Sequence, residues 1–219
     1  MSVPARLVVG VDGAVASGKT RLARALTVSL DATLIPEYAA HPAEVPGVIP
    51  PADVRARWTM QVHYLAAEAR RVRAYAGMPR LVLDRTVLSQ AAHIDAVRRT
   101  GGPDLRESFS ARLTGARIVE PDVLVVLRDA DGVSRPRLEA REAGPDRLGT
   151  AEQFTNPAYV AACDAFLRKI AERLPDRALV FAACPDPGSV ARRILAAPAA
   201  RPRPSHGLAS LLTEELRAG

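Results

Sequence analysis

The sequence predicts an α/β fold, with five short parallel strands in one sheet and helices on both faces. Three observations carry this reading. Apolar runs of four to seven residues recur along the chain, each too short for a helix and bounded by turn residues or a polar position. Longer segments with apolar residues at helical spacing separate them. Gly- and Pro-rich punctuation falls mainly between these segments. Such alternation places parallel strands side by side, with the connecting helices packed above and below.

Residues 6–12 (RLVVGVD) read as the first strand, because a continuous apolar run enters a Gly-containing turn. Residues 18–30 follow as an amphipathic helix with Leu22, Leu26 and Leu30 in register. Residues 32–36 form a second strand, and Pro42, Pro46, Gly47, Pro50 and Pro51 make 40–51 a loop. From Ala52 to Ala76, Trp58, Val62, Leu65, Ala69 and Val72 mark one helical face, and Gly77 stops it. Residues 81–84 are the third strand. Helices are expected at 87–99 and 104–115, with Gly101, Gly102 and Pro103 between them. Residues 123–127 are the fourth strand, 133–143 an Arg-rich helix, and 144–156 a loop. Tyr159, Cys163, Phe166, Ile170 and Leu174 pattern a helix over 157–174, followed by a fifth strand at 179–182 and a helix at 188–197. Residues 1–197 therefore read as one domain. Residues 198–206 are a Pro/Arg linker, and Leu208, Leu211, Leu212 and Leu216 give the tail an apolar face. That face suits a helix docked on its own domain or a dimer contact, which leaves a homodimer open.

Composition narrows the function. With 219 residues, 48% hydrophobic and 25% charged, the chain can bury a full core without disulfides or a structural metal. Aromatics are only 4%, so stacking surfaces for bases are scarce. The net charge is +6, but Lys19 and Lys169 are the only lysines and the arginines are scattered rather than striped. A nucleic-acid partner is therefore not expected, and an Arg-lined phosphate site is. The two cysteines, Cys163 and Cys184, make no zinc spacing or disulfide framework. No signal architecture or membrane span is read, which points to a cytoplasmic protein.

The most specific motif is Gly13-Ala-Val-Ala-Ser-Gly18-Lys19-Thr20, a full G-x-x-x-x-G-K-[ST] between a strand and a helix. Its glycines turn backbone N–H groups inward around phosphate oxygens, and the following helix adds its positive end. Gly13, Ala14, Ala16, Ser17, Gly18, Lys19, Thr20 and Arg21 are thus expected to hold a nucleotide. Lys19 would reach the β- and γ-phosphates, and the Thr20 hydroxyl would ligate Mg²⁺. No N-K-x-D follows, so a base-reading GTPase is not indicated.

Beyond this loop, the chain resembles the nucleoside and nucleotide kinases among P-loop proteins, which include deoxynucleoside and thymidylate kinases. The resemblance spans about residues 6–196. Ile35-Pro36-Glu37 sits eighteen residues after Lys19, like the Pro-Glu element of deoxynucleoside kinases. Pro36-Glu37-Tyr38-Ala39 is also similar to a segment of ribosylnicotinamide kinase-type domains. Leu83-Asp84-Arg85-Thr86 resembles the acid-Arg-Ser motif after the third strand, and Pro121 to Leu127 the fourth strand of the group. Arg137 and Arg141 fall where the group carries lid arginines, and Arg147 lies just beyond. Where deoxynucleoside kinases place an Arg after the Gln of the substrate helix, Gln61 is followed by Glu68. Where an acid can follow the Arg-Ser motif, Gln90 stands.

The resemblance implies ATP and Mg²⁺ as cofactors and a small-molecule acceptor: a nucleoside, a nucleotide or a nucleoside-like compound. Glu37 would take the proton of the acceptor hydroxyl. Asp84, at the carboxyl edge of the sheet, would hold a Mg²⁺ water or serve as the base in place of Glu37. Its purely structural role would be to cap the next helix. Arg85 would touch acceptor or phosphate, while Trp58, Gln61 and Tyr64 would line the acceptor pocket. Arg137 and Arg141 would stabilise charge on the transferred phosphoryl group. An unrelated hydroxyl metabolite or antibiotic as acceptor, a regulatory nucleotide switch and a nucleic-acid-end kinase stay open at this stage.

Overall fold

A computed structural model describes residues 4–37, 54–129, 132, 134–142, 154, 156–182, 185–197 and 207–218. All five expected strands form, as β1 (Leu7–Gly13), β2 (Thr33–Ile35), β3 (Arg80–Asp84), β4 (Val123–Arg128) and β5 (Ala178–Ala182). They make one parallel sheet in the order β2-β3-β1-β4-β5. The central strand, β1, is buried along its whole length, which explains why it reads as a nearly continuous apolar run.

The described helices are α1 (Lys19–Ser29), α2 (Val54–Ala74), α3 (Val87–Arg99), α4 (Arg106–Thr114), α5 (Ser134–Glu142), α6 (Pro157–Glu172), α7 (Pro187–Ala196) and α8 (Leu208–Ala218). Two cores sandwich the sheet. On one face Val9 and Val11 pack with Leu22 and Leu26 of α1 and Val190 and Ile194 of α7. On the other, Leu124 and Val126 pack with α3, α4, α6 and α8, centred on Leu88, Phe109 and Leu167. The alternation along β4 serves both layers, as a two-sided buried strand requires.

The tail helix docks on its own chain. Leu208, Leu211, Leu212 and Leu216 join the same core as Phe109 and Leu113. Glu120 caps its start, accepting from the Leu208 N–H at 3.0 Å and the Ala209 N–H at 3.4 Å. The buried Glu215 anchors its far end against Lys169 and Arg173. Among the described residues no helix is long and apolar enough to cross a membrane. The 198–206 linker and most of the 144–156 loop lie outside the described residues.

Pro136 sits in the first turn of α5, where a missing N–H leaves no broken bond. One local detail differs from expectation. The residue that caps α3 is Thr86, whose side chain accepts from the Leu88 N–H at 3.1 Å. Asp84, two residues earlier, is left for other work.

Candidate active site

Everything of chemical interest gathers at the carboxyl ends of β1, β2 and β3. The Gly13–Thr20 loop leaves β1 and runs into α1. Gly13 passes so close to β4 that a Cβ would stand 2.6 Å from the Leu127 carbonyl oxygen. Gly18, the N-cap of α1, has φ 94°, and Ala16 has φ 60°. Left-handed conformations here bend the loop on itself, and their strain at a non-glycine residue is a mark of functional sites.

Lys19 is buried within that loop and its ammonium donates to the Ala14 carbonyl at 2.5 Å. Burial, with the Arg85 cation, lowers its pKa to about 7, against the pull of Glu37, Asp84 and Asp12. These five side chains therefore act on one another across one small volume.

Asp84 ends β3 at 2% exposure. Burial raises its pKa, opposed first by a hydrogen bond from the Thr20 hydroxyl. Its Oδ1 is buried with no hydrogen-bond partner among the described residues. A buried carboxylate oxygen beside a threonine hydroxyl and phosphate-binding loop is a donor set that suits a hard divalent cation. Among the described residues no cluster of three or more His, Cys, Asp or Glu offers an alternative metal centre. The residues thus fit Mg²⁺ held through a bound phosphate, with Thr20 and Asp84 as its protein side.

Arg85 follows directly, with φ 70°, and its N–H donates to the Val11 carbonyl at 3.0 Å. The next N–H, of Thr86, donates to Asp12 Oδ1 at 3.1 Å, and the hydroxyls of Thr86 and Ser89 donate to the same carboxylate. Fully buried Asp12 so ties β1 to the start of α3 and holds the strained turn in place. That turn sends the Arg85 Nε to Glu37 Oε2 at 2.7 Å. Burial disfavours the Arg85 cation, but the charge and hydrogen bond of Glu37 outweigh it and hold its pKa above the ordinary value. Tyr64 lies close enough to feel both groups, and burial raises its phenol pKa.

Underneath is a brace that the sequence did not reveal. Arg71 of α2, largely buried, donates to the Asp84 carbonyl at 3.3 Å, the Arg85 carbonyl at 3.2 Å and the Pro36 carbonyl. It also pairs with buried Glu68 at 3.1 Å, whose other oxygen accepts from the Val119 N–H at 2.9 Å. One guanidinium thus fastens the ends of β2 and β3, from which Glu37, Asp84 and Arg85 depart. The missed signal was spacing: Arg57, Gln61, Tyr64, Glu68 and Arg71 fall at intervals of four and three along α2. They form a polar stripe beside the apolar one, and four of them are buried.

Farther along that stripe is a narrow crevice lined by Arg57, Gln61, His93, Ile94, Val97, Pro103 and Leu105. His93 Nδ1 and the Tyr159 hydroxyl are 2.7 Å apart. Burial, with the nearby Arg57 and Arg85 cations, pushes the His93 pKa down to about 4, so its ring is neutral. Gln61 lines this crevice. Trp58 does not share its lining: its ring packs on the core with the Arg112 guanidinium 5.8 Å from its centroid.

On the opposite side of the loop, Gly18, Arg21 and Leu22 face Pro185, Asp186 and Pro187 across a cavity of about 340 Å³. Arg137 is exposed on α5, and Arg135 beside it pairs with Glu139 at 2.9 Å. The Arg141 side chain and all of Arg147 lie outside the described residues.

No protein-family model matches the chain, and no curated protein is significantly similar to it in sequence. Solved structures are similar in fold. Deoxyadenosine kinase from M. mycoides with bound dATP has a TM-score of 0.63 at 15% identity, over 87% of this chain and 98% of that one. The same enzyme with bound dCTP gives 0.62 at 13% identity, over 87% and 97%. Thymidylate kinase from Ehrlichia chaffeensis gives 0.58 at 14% identity, over 88% and 98%. The five-stranded parallel sheet with its helices is thus consistent with the P-loop kinase fold of these structures.

Proposed function

We propose that this chain is a kinase that transfers the γ-phosphate of ATP to a hydroxyl of a small acceptor, a nucleoside or nucleoside-like compound. One observation carries this most directly. A carboxylate held by an arginine, Glu37 on Arg85, stands beside the phosphate-loop lysine at the carboxyl edge of the sheet. A switch needs the loop. It does not need an oriented carboxylate at the place where an acceptor would meet the γ-phosphate. Of the kinases of similar fold, deoxyadenosine kinase supports a nucleoside acceptor, and thymidylate kinase keeps a nucleotide as the other acceptor class.

The chemistry is positioning and charge neutralisation. The loop N–H groups, the start of α1 and Lys19 hold the triphosphate, with Arg21 and the Pro185–Pro187 segment flanking the cavity that would seat its base. Thr20 and Asp84 would hold Mg²⁺, which would supply charge neutralisation when bound. Glu37 accepts the proton of the acceptor hydroxyl as its oxygen bonds to the γ-phosphorus and the bond to ADP breaks. Arg85 fixes the carboxylate and places a positive charge next to the oxygens being transferred. Asp84, with Thr20 donating to it and Oδ1 otherwise without a partner among the described residues, is assigned to the ion rather than to the proton. Arg137 and Arg141 of α5 complete the reading as lid residues that close over the phosphates.

The test is ADP release from ATP and Mg²⁺ across nucleosides, nucleoside monophosphates and unrelated hydroxyl metabolites, with Lys19→Ala as blank. Acceptor-dependent ADP with one nucleoside is the expected result. Tight ATP binding with no acceptor-stimulated turnover would overturn the kinase reading in favour of a switch.

A further inference from the structure

Asp12 is a carboxylate in the middle of the sheet, fully buried in the central strand, where an acid is costly to keep. It is held there by three neutral donors. Its Oδ1 accepts from the Thr86 N–H at 3.1 Å and the Ser89 hydroxyl at 2.5 Å, and its Oδ2 from the Thr86 hydroxyl at 2.8 Å. All three come from the segment that leaves β3 just after Arg85. With both oxygens engaged inside the fold, this carboxylate is not offered to a ligand.

The strand is shaped around the same partner. Gly10 stands two residues before Asp12, on the same side of β1. A Cβ at Gly10 would lie 2.5 Å from the Thr86 methyl carbon. One side of β1 therefore packs Val9 and Val11 against α1, while the other seats Thr86: Gly10 leaves room for its methyl and Asp12 takes its N–H and hydroxyl. The Thr86 hydroxyl is committed twice, since it also accepts from the Leu88 N–H at 3.1 Å. A carboxylate offers two acceptor oxygens to these donors, where an amide offers one. The residue directly before this seat is Arg85, at φ 70°. A left-handed turn at a non-glycine residue persists only where its surroundings over-determine it, and here the Val11 carbonyl and the seated Thr86 do so from either side.

Resting on the kinase reading, we propose that Asp12 is a positioning residue for phosphoryl transfer: it seats Thr86 so that the strained turn before it keeps Arg85 on Glu37. Without the second oxygen the seat loosens and Arg85 relaxes out of the left-handed region. The Arg85 Nε then leaves Glu37 Oε2, which it meets at 2.7 Å, and the base loses its fixed orientation toward the acceptor hydroxyl. Lys19 and the loop N–H groups, which hold the triphosphate, do not depend on this seat.

The experiment has two arms on the full chain. The first follows the Arg85 Nε–H by NMR of isotope-labelled protein without ligand, identified by its loss in Arg85→Lys. Held on Glu37, this proton should exchange slowly with solvent, and about tenfold faster in Asp12→Asn. The second measures kcat and KM with the acceptor that gives ADP release. Asp12→Asn should lower kcat about 10–100-fold and leave the KM for ATP within about threefold. In an Arg85→Met background the same substitution should lower kcat no further, because its effect runs through Arg85. Ser89→Ala removes one donor and leaves the carboxylate. It should show a smaller loss of the same kind, and it carries both arms if Asp12→Asn does not fold. An unmoved Nε–H, a double variant slower than Arg85→Met by the whole Asp12→Asn factor, or a loss confined to the KM for ATP would each overturn the inference. The two readings fail differently. Absence of acceptor-stimulated ADP release from the wild type sinks the kinase, and the exchange arm still decides whether Asp12 holds Arg85 in place.

Discussion

The carboxylate of Glu37 and the guanidinium of Arg85 meet at 2.7 Å, although they leave the sheet from two different strands. Neither is placed by its own strand alone. Arg85 is turned by a left-handed backbone held through Val11 and Asp12, and the Pro36 carbonyl beside Glu37 is fastened by Arg71. Glu37→Gln keeps the shape and removes the base. In steady-state assays kcat should fall about 10²–10⁴-fold with a small change in KM. An unchanged kcat would hand the proton to another group.

Arg71→Met should cost about 3–5 kcal/mol of stability in urea denaturation, because it strands the buried Glu68 charge. The double variant Arg71→Met/Glu68→Met should recover part of that loss, since no uncompensated charge is left. If Arg71 positions the site as well, kcat of the double variant stays low while stability returns. Recovery of both would make the pair purely structural.

His93 gives a pH dependence of known sign. Its folded pKa of about 4 lies below the ordinary 6.5, so between these values the unfolded chain binds the proton more readily. Stability contributed by the neutral ring is full above pH 6.5 and is lost as pH falls toward 4. Urea midpoints of wild type should drop more steeply from pH 7 to pH 5 than those of His93→Gln. Parallel slopes would show that this imidazole titrates normally.

Glu120→Ala should uncap α8 at about 1 kcal/mol. Amides of residues 208–218 would then exchange hydrogen faster, while those of β1 and β4 keep their protection. Uniform loss of protection would mean that α8 opens only with the whole domain.

The strands and most helices were legible because each obeys one strong rule. β1, β3 and β4 are buried on both sides and so lack polar residues except at their ends, where Asp12 and Asp84 stand. Lys19 and its loop were legible because the motif fixes spacing locally. Arg71, Glu68 and Arg57 were not, because their roles depend on which side of α2 faces the sheet. An apolar stripe at Trp58 and Leu65 dominated that reading. Asp12 was hidden for a related reason: its partners Thr86 and Ser89 lie more than seventy residues away.

The central position of β1 also bears on how the chain is made. Its neighbours are β3 and β4, paired through residues 80–84 and 123–127. At about 5–20 residues per second, synthesis of the segment up to β4 takes several seconds. Leu7-Val8-Val9-Gly10-Val11, an uncharged and β-prone run, has neither partner strand until residues 80–84 are made, and only one until residues 123–127 follow. The architecture that buries β1 most deeply at the end thus leaves it unpaired longest at the start.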